Sequence, residues 1–360
     1  FPFIIMKICI ISHALHPYSE KSTKFQHSSC NDVLLNLSHG FKDLGHDVFL
    51  ILPKNSDSSF PMFVADGDYQ HNLDAFKPHQ QNIISLSTNS CLSNMFDYAF
   101  EHQLEFDVII NLGHDWLPFF MLNKFKTLYI TIPNLLYPGR PLEIFIQERA
   151  SQFPNNVLFI SHYQNSILGS SLNKVIYLPF DLSLFLPAKK VKNNFLFWAG
   201  RITPEKGLKE ALLFAQQVNI PLFVAGEIQN ISYFYQLSNQ FDFTYLGFLD
   251  KPSLYSYMND AIAFLQFQQS NLLLESFGLV TAEAMLNGCP IIYVDNGANK
   301  ELISIADAGL EFSVSSSPSQ IISSLASIDV VSLQKKAQLS FSRELICSHF
   351  IQHFSSLLHV

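Results

Sequence analysis

The sequence predicts an α/β fold with two domains, each organised around a parallel sheet. Its 360 residues exceed one average domain and suit two domains of similar size. Apolar runs of strand length alternate with segments of helical spacing, as in β-α-β units. Hydrophobic residues make up 48% of the chain and charged residues 14%, which is enough apolar material for two cores.

The first domain opens with a β-α-β unit. Residues 6–12 are predicted as a buried parallel strand, residues 30–44 as a helix and residues 45–52 as the next strand. The loop at residues 13–29 is expected at the carboxyl edge of the sheet, where open α/β folds bind ligands. Ser161 is predicted to cap a helix. Further strands are predicted within residues 105–118, 126–131, 157–161 and 174–181.

A polar run after Leu186 predicts the domain boundary. The predicted limits are residues 1–186 for the first domain, 187–340 for the second and 341–360 for a C-terminal helix. That helix is expected because residues 340–354 are amphipathic at helical spacing. Strands of the second domain are predicted from Asn194 and at residues 222–226, 243–247, 261–267 and 290–294.

The segment Glu275–Glu283 combines two carboxylates with a predicted helix start. A helix is expected to open at Gly278 and to stop at Gly288. Eight helical steps of roughly 100° would leave the glutamates far apart in rotation, so one is expected before the helix and one inside it. The amides of Phe277, Gly278 and Leu279 would attract an anion, while the carboxylates suit hydroxyl groups. The ligand implied is a nucleotide sugar; solvated glutamates in ordinary packing are the alternative.

A second motif supplies positive charge. A buried strand starting at Phe195 runs into a loop that carries Arg201 and Lys206, and a helix follows from Leu208. Arginine offers a rigid fork of donors and lysine a mobile point charge, and the two together suit a diphosphate.

These motifs resemble those of the retaining glycosyltransferases of family four, which have the GT-B fold. The matching residues are Gly200-Arg201, then Lys206-Gly207 after a four-residue gap, and Glu275 and Glu283 separated by seven residues. The resemblance implies two Rossmann-like domains facing across a cleft, with the C-terminal helix crossing back to the first domain. It also implies hexose transfer from a nucleotide sugar, with retained anomeric configuration, no cofactor and no metal ion.

The resemblance implies roles for individual residues. Arg201, Lys206 and the helix amides would stabilise the departing diphosphate, Glu283 would hold the ribose and Glu275 the transferred sugar. His114, in a His-Asp segment at a strand end, would contact that sugar, although a lone histidine is more often structural. Asp115 would orient either His114 or the chain. The base would lie near Glu227, Ile228 and Leu246, and Ser28 and Ser29 stand where the family usually has paired glycines.

The substrates are less defined. Residues 221–228, 233–235 and 245–248 resemble a bacterial branch that includes UDP-glucose:tetrahydrobiopterin glucosyltransferases. UDP-glucose or a similar donor is therefore expected, with an unknown hydroxyl acceptor. The alternative is a catalytically weakened nucleotide-sugar-binding protein, suggested by the two serines. A nucleotide-sugar epimerase shares the fold and stays open.

Composition and motifs argue against other classes. A net charge of −8 disfavours nucleic acid or an anionic membrane as the main partner. A run of about 18 apolar residues, needed for a spanning helix, does not occur. Five scattered cysteines and the lack of a basic leader predict a cytoplasmic protein, with residues 1–5 read as an upstream extension. Residues 12–29 lack the glycines of a nicotinamide-binding turn. Asp66-Gly67-Asp68 is interpreted as a surface turn, with a metal site as the alternative.

Overall fold

The computed structural model describes residues 4–20, 29–69, 89–134, 139–268, 274–313 and 315–358. The chain divides into two compact units. Unit 1 comprises residues 1–180 and 343–360, and unit 2 comprises residues 181–342. The sequence predicts the first domain boundary between residues 186 and 187 and the second between residues 340 and 341.

Within its described residues, unit 1 has a five-stranded parallel sheet in the order β3-β2-β1-β4-β5. The chain builds outwards from β1 first to one side and then to the other, so the topological switch point lies between β1 and β4. The strands are β1 (Lys7–Ile11), β2 (Asp47–Pro53), β3 (Met62–Ala65), β4 (Val108–Asn111) and β5 (Leu128–Thr131). The helices are α1 (Ser29–Asp43), α2 (Cys91–Glu101), α3 (Trp116–Phe120), α4 (Pro141–Gln152) and α5 (His162–Leu168).

Two strands predicted for this unit do not form as regular strands. Residues 157–161 and 174–181 contribute isolated bridges, Thr131 to Val157 and Phe159 to Val175. Side chains form hydrogen bonds with backbone groups that would otherwise pair with a neighbouring strand. The Asn173 amide donates to the Val157 carbonyl at 3.3 Å, and the Ile160 amide donates to the Gln164 side chain at 3.1 Å. The predicted cap at Ser161 is confirmed, since its side chain accepts from the Gln164 amide.

Unit 2 has, within its described residues, a six-stranded parallel sheet in the order β11-β10-β9-β6-β7-β8. Its switch point lies between β6 and β9, by the same reasoning. The strands are β6 (Asn193–Ala199), β7 (Leu222–Ala225), β8 (Thr244–Tyr245), β9 (Ala261–Gln266), β10 (Ile291–Tyr293) and β11 (Gly309–Glu311). The helices are α6 (Leu208–Val218), α7 (Ile231–Gln240), α8 (Lys251–Asp260), α9 (Leu279–Leu286), α10 (Asn299–Ala306), α11 (Pro318–Ser324) and α12 (Val330–Phe341).

The C-terminal helix α13 (Arg343–Leu358) belongs to unit 1 and packs on α1. The Phe41 ring lies 6.0 Å from the Phe350 ring and 6.1 Å from the Phe354 ring, and all three are fully buried. The sequence predicts this helix at residues 341–360, and it begins at Arg343. Ser342 is extended, with φ −60° and ψ 141°, and this conformation separates α12 from α13.

Replacing Phe350 by alanine should destabilise unit 1 by about 3–5 kcal/mol, because a buried aromatic ring is lost and a cavity is left. Urea unfolding followed by tryptophan fluorescence and circular dichroism measures the change. His349→Ala, on the exposed side of the same helix, is the control and should shift the midpoint little. Equal midpoints for the two variants would contradict the packing of α13 on α1.

Candidate functional site

The carboxyl ends of β6 and β9 lie side by side at the switch point of unit 2. Gly200 and Arg201 follow β6, and Phe267 and Gln268 follow β9. In open parallel sheets ligands bind in the crevice outside such a pair of strand ends. The loops that leave these strands therefore define the first candidate site.

Lys206 reaches this edge from a short 3₁₀ turn, Pro204–Lys206. Its Nζ donates to Gln268 Oε1 at 2.8 Å and to Glu275 Oε2 at 3.4 Å. The next residue, Gly207, has φ 74°, and a Cβ there would lie 1.8 Å from the Phe267 carbonyl oxygen. Only glycine permits this approach of the Lys206 turn to the end of β9.

Glu275 is placed by the loop that precedes α10. Its carbonyl accepts from the Ala298 amide at 2.9 Å. Gly297 has φ 68°, and a Cβ there would lie 2.4 Å from that same carbonyl oxygen. The Glu275 carboxylate is 20% exposed, as is the Lys206 ammonium. The structure thus brings two of the predicted catalytic residues together as a partly buried ion pair.

Helix α9 begins after Gly278, as predicted, and Glu275 precedes it while Glu283 lies inside it. Gly278 adopts φ 89°, and a Cβ there would lie 2.4 Å from Asn299 Oδ1, the atom to which Thr281 donates at 2.7 Å. Phe277 is buried, and its ring lies 6.0 Å from that of Phe341. The first amides of a helix have no partner within the helix, so the segment from Gly278 to Leu279 presents donors beside the Lys206–Glu275 pair.

Glu283 is held by partners that the sequence did not reveal. Its Oε1 contacts Lys251 Nζ in a close ion pair and accepts from the Tyr255 hydroxyl at 3.0 Å. The Glu283 side chain is 7% exposed and that of Lys251 22%. The alternative of a solvated Glu283 is therefore wrong. Helix α8 supplies both partners and compensates the charge of this carboxylate.

Arg201 contacts a different set of polar side chains. Its Nη1 lies 3.4 Å from Gln229 Oε1, and Gln229 Nε2 donates to Glu227 Oε2 at 3.1 Å. Beyond the ends of β7 and β6, Ile228 forms an isolated parallel bridge with Ile202, and the Leu246 amide donates to the Val224 carbonyl at 2.9 Å. The predicted base neighbours thus follow β7 and β8, at the same sheet edge as Arg201. Their role stays a prediction.

In unit 1, His114 follows β4 at the corresponding switch point. Its Nε2 lies 3.6 Å from Glu143 Oε1, and the two side chains are 7% and 3% exposed. Asp115 caps α3 by accepting from the Leu117 amide at 3.2 Å, which favours orientation of the chain as its role. Ser28 lies outside the described residues. Ser29 is the first residue of α1, and its side chain also lies outside what is described.

Sequence reasoning missed His13, which follows β1 at the same edge. It is 4% exposed, and its Nε2 lies 3.0 Å from Asn31 Oδ1 on α1. The pKa of His13 is lowered to about 4, mainly by burial and in part by the nearby His16, while the Asn31 contact opposes the change. Gln268 and Lys251 were also missed, because their partners are distant in sequence.

The described residues limit which ligands and membrane contacts are possible. Within those ranges, three or more His, Cys, Asp or Glu side chains nowhere group as a metal site would require. Asp66 and Asp68 are exposed, and Asp68 forms a bridge with Ser90. In the same part of the chain, every helix is too short or too polar to span a bilayer.

Comparison with known families identifies the domain that carries the first site. Residues 184–330 match the family model of the glycosyl transferases group 1. Unit 2 thus contains a group 1 glycosyltransferase domain, and the predicted enzyme class, a glycosyltransferase, is confirmed. A search of curated protein sequences gave no match.

Solved structures confirm the predicted fold class, GT-B. A glycosyltransferase involved in avilamycin A biosynthesis superposes with a TM-score of 0.73 at 17% identity, covering 98% of both chains. Anabaena HepE in complex with UDP-glucose gives 0.68 at 18% identity, covering 98% of this chain and 100% of that one. Sucrose-phosphate synthase from Thermosynechococcus elongatus gives 0.68 at 16% identity, covering 98% and 99%.

Replacing Lys251 by methionine should destabilise the protein by about 1–3 kcal/mol, because the largely buried Glu283 carboxylate loses a charged partner. Urea unfolding measures the loss. Lys335→Met, on the exposed side of α12, is the control. The double variant Lys251→Met, Glu283→Gln should recover part of the loss; no recovery would show that Lys251 acts through packing alone.

Stability should also depend on pH through His13. The unfolded chain binds a proton at His13 below about pH 6.5, whereas the folded protein does so only near pH 4. The contribution of His13 is therefore complete above pH 6.5 and is lost as pH falls towards 4, by about 1.4 kcal/mol per pH unit. His13→Gln should make the urea unfolding midpoint depend less on pH between pH 7 and 5. The exposed control His349→Gln should keep the pH dependence of the wild type.

Proposed function

We propose that this chain is a retaining glycosyltransferase of family four that moves a hexose from a nucleoside diphosphate sugar, UDP-glucose or a close relative, to a hydroxyl acceptor without a metal ion. The observation that carries the proposal is the Lys206–Glu275 ion pair beside the start of α9. It places one cation and one hydroxyl-binding carboxylate next to helix amides. That combination suits a diphosphate joined to a sugar.

The donor proposal draws on chemistry and on a structural neighbour. Anabaena HepE has been solved with UDP and with UDP-glucose, at 18% identity. In this protein a hydrogen-bonded row of side chains lies next to the end of β7: Arg201, Gln229 and Glu227. We assign that side of the site to the nucleoside and the Glu275 side to the transferred sugar, with Glu283 directed at the ribose.

The reaction proposed is a substitution at the anomeric carbon. The bond between that carbon and the diphosphate oxygen breaks, and its electron pair leaves with the diphosphate. A bond to the acceptor oxygen forms on the same face, and the acceptor proton passes to the leaving phosphate. Lys206, Arg201 and the amides of α9 stabilise the charge that builds on the diphosphate, which takes the part a metal ion plays elsewhere.

Other parts of the proposal concern His114, the acceptor and the compartment. We assign His114 to a hydroxyl of the transferred sugar. A tetrahydrobiopterin-like acceptor follows from the resemblance at residues 221–248. A cytoplasmic location agrees with the free thiols of the four cysteines whose side chains are described, Cys9, Cys91, Cys289 and Cys347.

Lys206→Ala should lower turnover by two to three orders of magnitude, because one contact that stabilises developing negative charge contributes about 3–4 kcal/mol. Release of UDP from UDP-glucose, or of GDP from GDP-glucose, measures turnover. Lys209→Ala, an exposed lysine on the adjacent helix turn, is the matched control. Near-wild-type turnover in the Lys206 variant with an intact fold would remove the role of Lys206.

The same proteins separate the enzyme from a binding protein. A nucleotide sugar at 100 times its dissociation constant should stabilise the wild type by about 2.7 kcal/mol in a thermal-shift assay. Stabilisation without UDP or GDP release, also in the presence of candidate acceptors, would favour the catalytically weakened nucleotide-sugar-binding protein. No stabilisation by any UDP- or GDP-sugar would contradict both.

A further inference from the structure

A buried histidine and a buried glutamate face each other in unit 1. His114 follows β4, and Glu143 lies in the first turn of α4. Their side chains are 7% and 3% exposed, and Nε2 of the imidazole lies 3.6 Å from Oε1 of the carboxylate. No motif of the sequence contains Glu143, so sequence patterns do not indicate this partner.

Most polar atoms of this pair lack hydrogen bonds. Across the described residues, His114 Nδ1, His114 Nε2 and Glu143 Oε2 are buried and have no hydrogen-bond partner. Folded proteins satisfy nearly all buried polar groups, and an unsatisfied one costs about 1–3 kcal/mol. A buried ion pair is also weak support for stability. Stability therefore does not explain the pair, and a role towards a ligand does.

The backbone around His114 is fixed independently of Glu143. Asn111 donates to the Gly113 carbonyl at 2.8 Å and accepts from the Gly113 amide at 3.1 Å. On the other side, Asp115 caps the following helix. What these contacts leave undetermined is the orientation of the imidazole ring and the nitrogen that carries its proton. Glu143 is a charged group within reach of that ring.

We propose that Glu143 is a positioning residue that holds His114 as the Nε2–H tautomer and so presents Nδ1 as an acceptor to a hydroxyl group of the sugar substrate. An ionised carboxylate only accepts hydrogen bonds, so the nitrogen that faces it carries the proton, and the other nitrogen of a neutral imidazole is then an acceptor. The 3.6 Å separation exceeds a hydrogen bond, and such contacts in unliganded sites often shorten when substrate binds. The proposal rests on the proposed function for the identity of the ligand.

The tautomer is measured directly, without substrate. The protein is labelled with ¹⁵N-histidine, and the signal of His114 among the 13 histidines is the one that His114→Gln removes. At pH 7.5 to 8 the wild type should show a protonated Nε2 and an unprotonated Nδ1. Glu143→Leu should change that ratio, whereas Glu148→Gln, an exposed glutamate on the same helix, should not. An Nδ1–H tautomer in the wild type, or an unchanged ratio in Glu143→Leu, overturns the proposal.

Kinetics then test the role in the reaction. With UDP-glucose as the probe, Glu143→Leu should lower kcat for UDP release by about 10- to 100-fold, as misoriented reacting groups do, with KM changed much less. Glu143→Gln keeps a carbonyl oxygen that can accept from Nε2–H, so it should retain more activity than Glu143→Leu and serves if that variant fails to fold. Turnover of both variants equal to that of Glu148→Gln overturns the positioning role.

The two readouts keep this proposal separate from the proposed function. If the wild type releases no UDP, the donor assignment fails, and the tautomer measurement still decides whether Glu143 sets the state of His114. If turnover is normal and the tautomer does not depend on Glu143, the glycosyltransferase proposal stands and the role of Glu143 falls.

Discussion

The ion pair between Lys206 and Glu275 is the constraint on which the site in unit 2 depends. The two residues are 69 positions apart in the chain, yet their charges lie 3.4 Å apart and are each 20% exposed. Partial burial makes such a pair expensive unless its surroundings are fixed, since desolvation offsets much of the attraction. Two glycines with positive φ, Gly207 and Gly297, allow the backbone contacts that hold the two sides together. The positions of these two charges are therefore set by turn geometry as much as by the charged residues themselves.

The same pairing resolves a conflict within the motif that contains Glu275 and Glu283. Two carboxylates on either side of a helix start would repel the anion that the helix amides attract. In the structure each carboxylate has its own lysine, Lys206 for Glu275 and Lys251 for Glu283. The charge of each is compensated where it stands, so the field at the start of α9 is not dominated by negative charge. Carboxylate oxygens can then serve hydroxyl groups beside a bound anion.

Local signals in the sequence predicted local structure well. Gly278 and Gly288 marked α9, Ser161 marked a helix cap, and the apolar runs marked most strands. The failures share a cause: long-range contacts compete with local pattern. Apolar residues 157–161 do not form a strand because Asn173 and Gln164 bind their backbone groups. For the same reason, sequence patterns did not indicate Lys251, Gln268 or Glu143. Residues that pair across tens of positions show no regular spacing in the sequence.

The two units contribute different electrostatics at their switch points. Unit 2 supplies charged side chains, Lys206 and Arg201, which suit a diphosphate. Unit 1 supplies two buried histidine side chains: His13, whose pKa is lowered to about 4 mainly by burial, and His114, which faces the Glu143 carboxylate. A neutral imidazole donates a hydrogen bond from one ring nitrogen and accepts one at the other, so it can bind a hydroxyl group. The groups that follow β4 therefore suit hydrogen bonding to a neutral ligand, whereas the cations that follow β6 suit an anionic one.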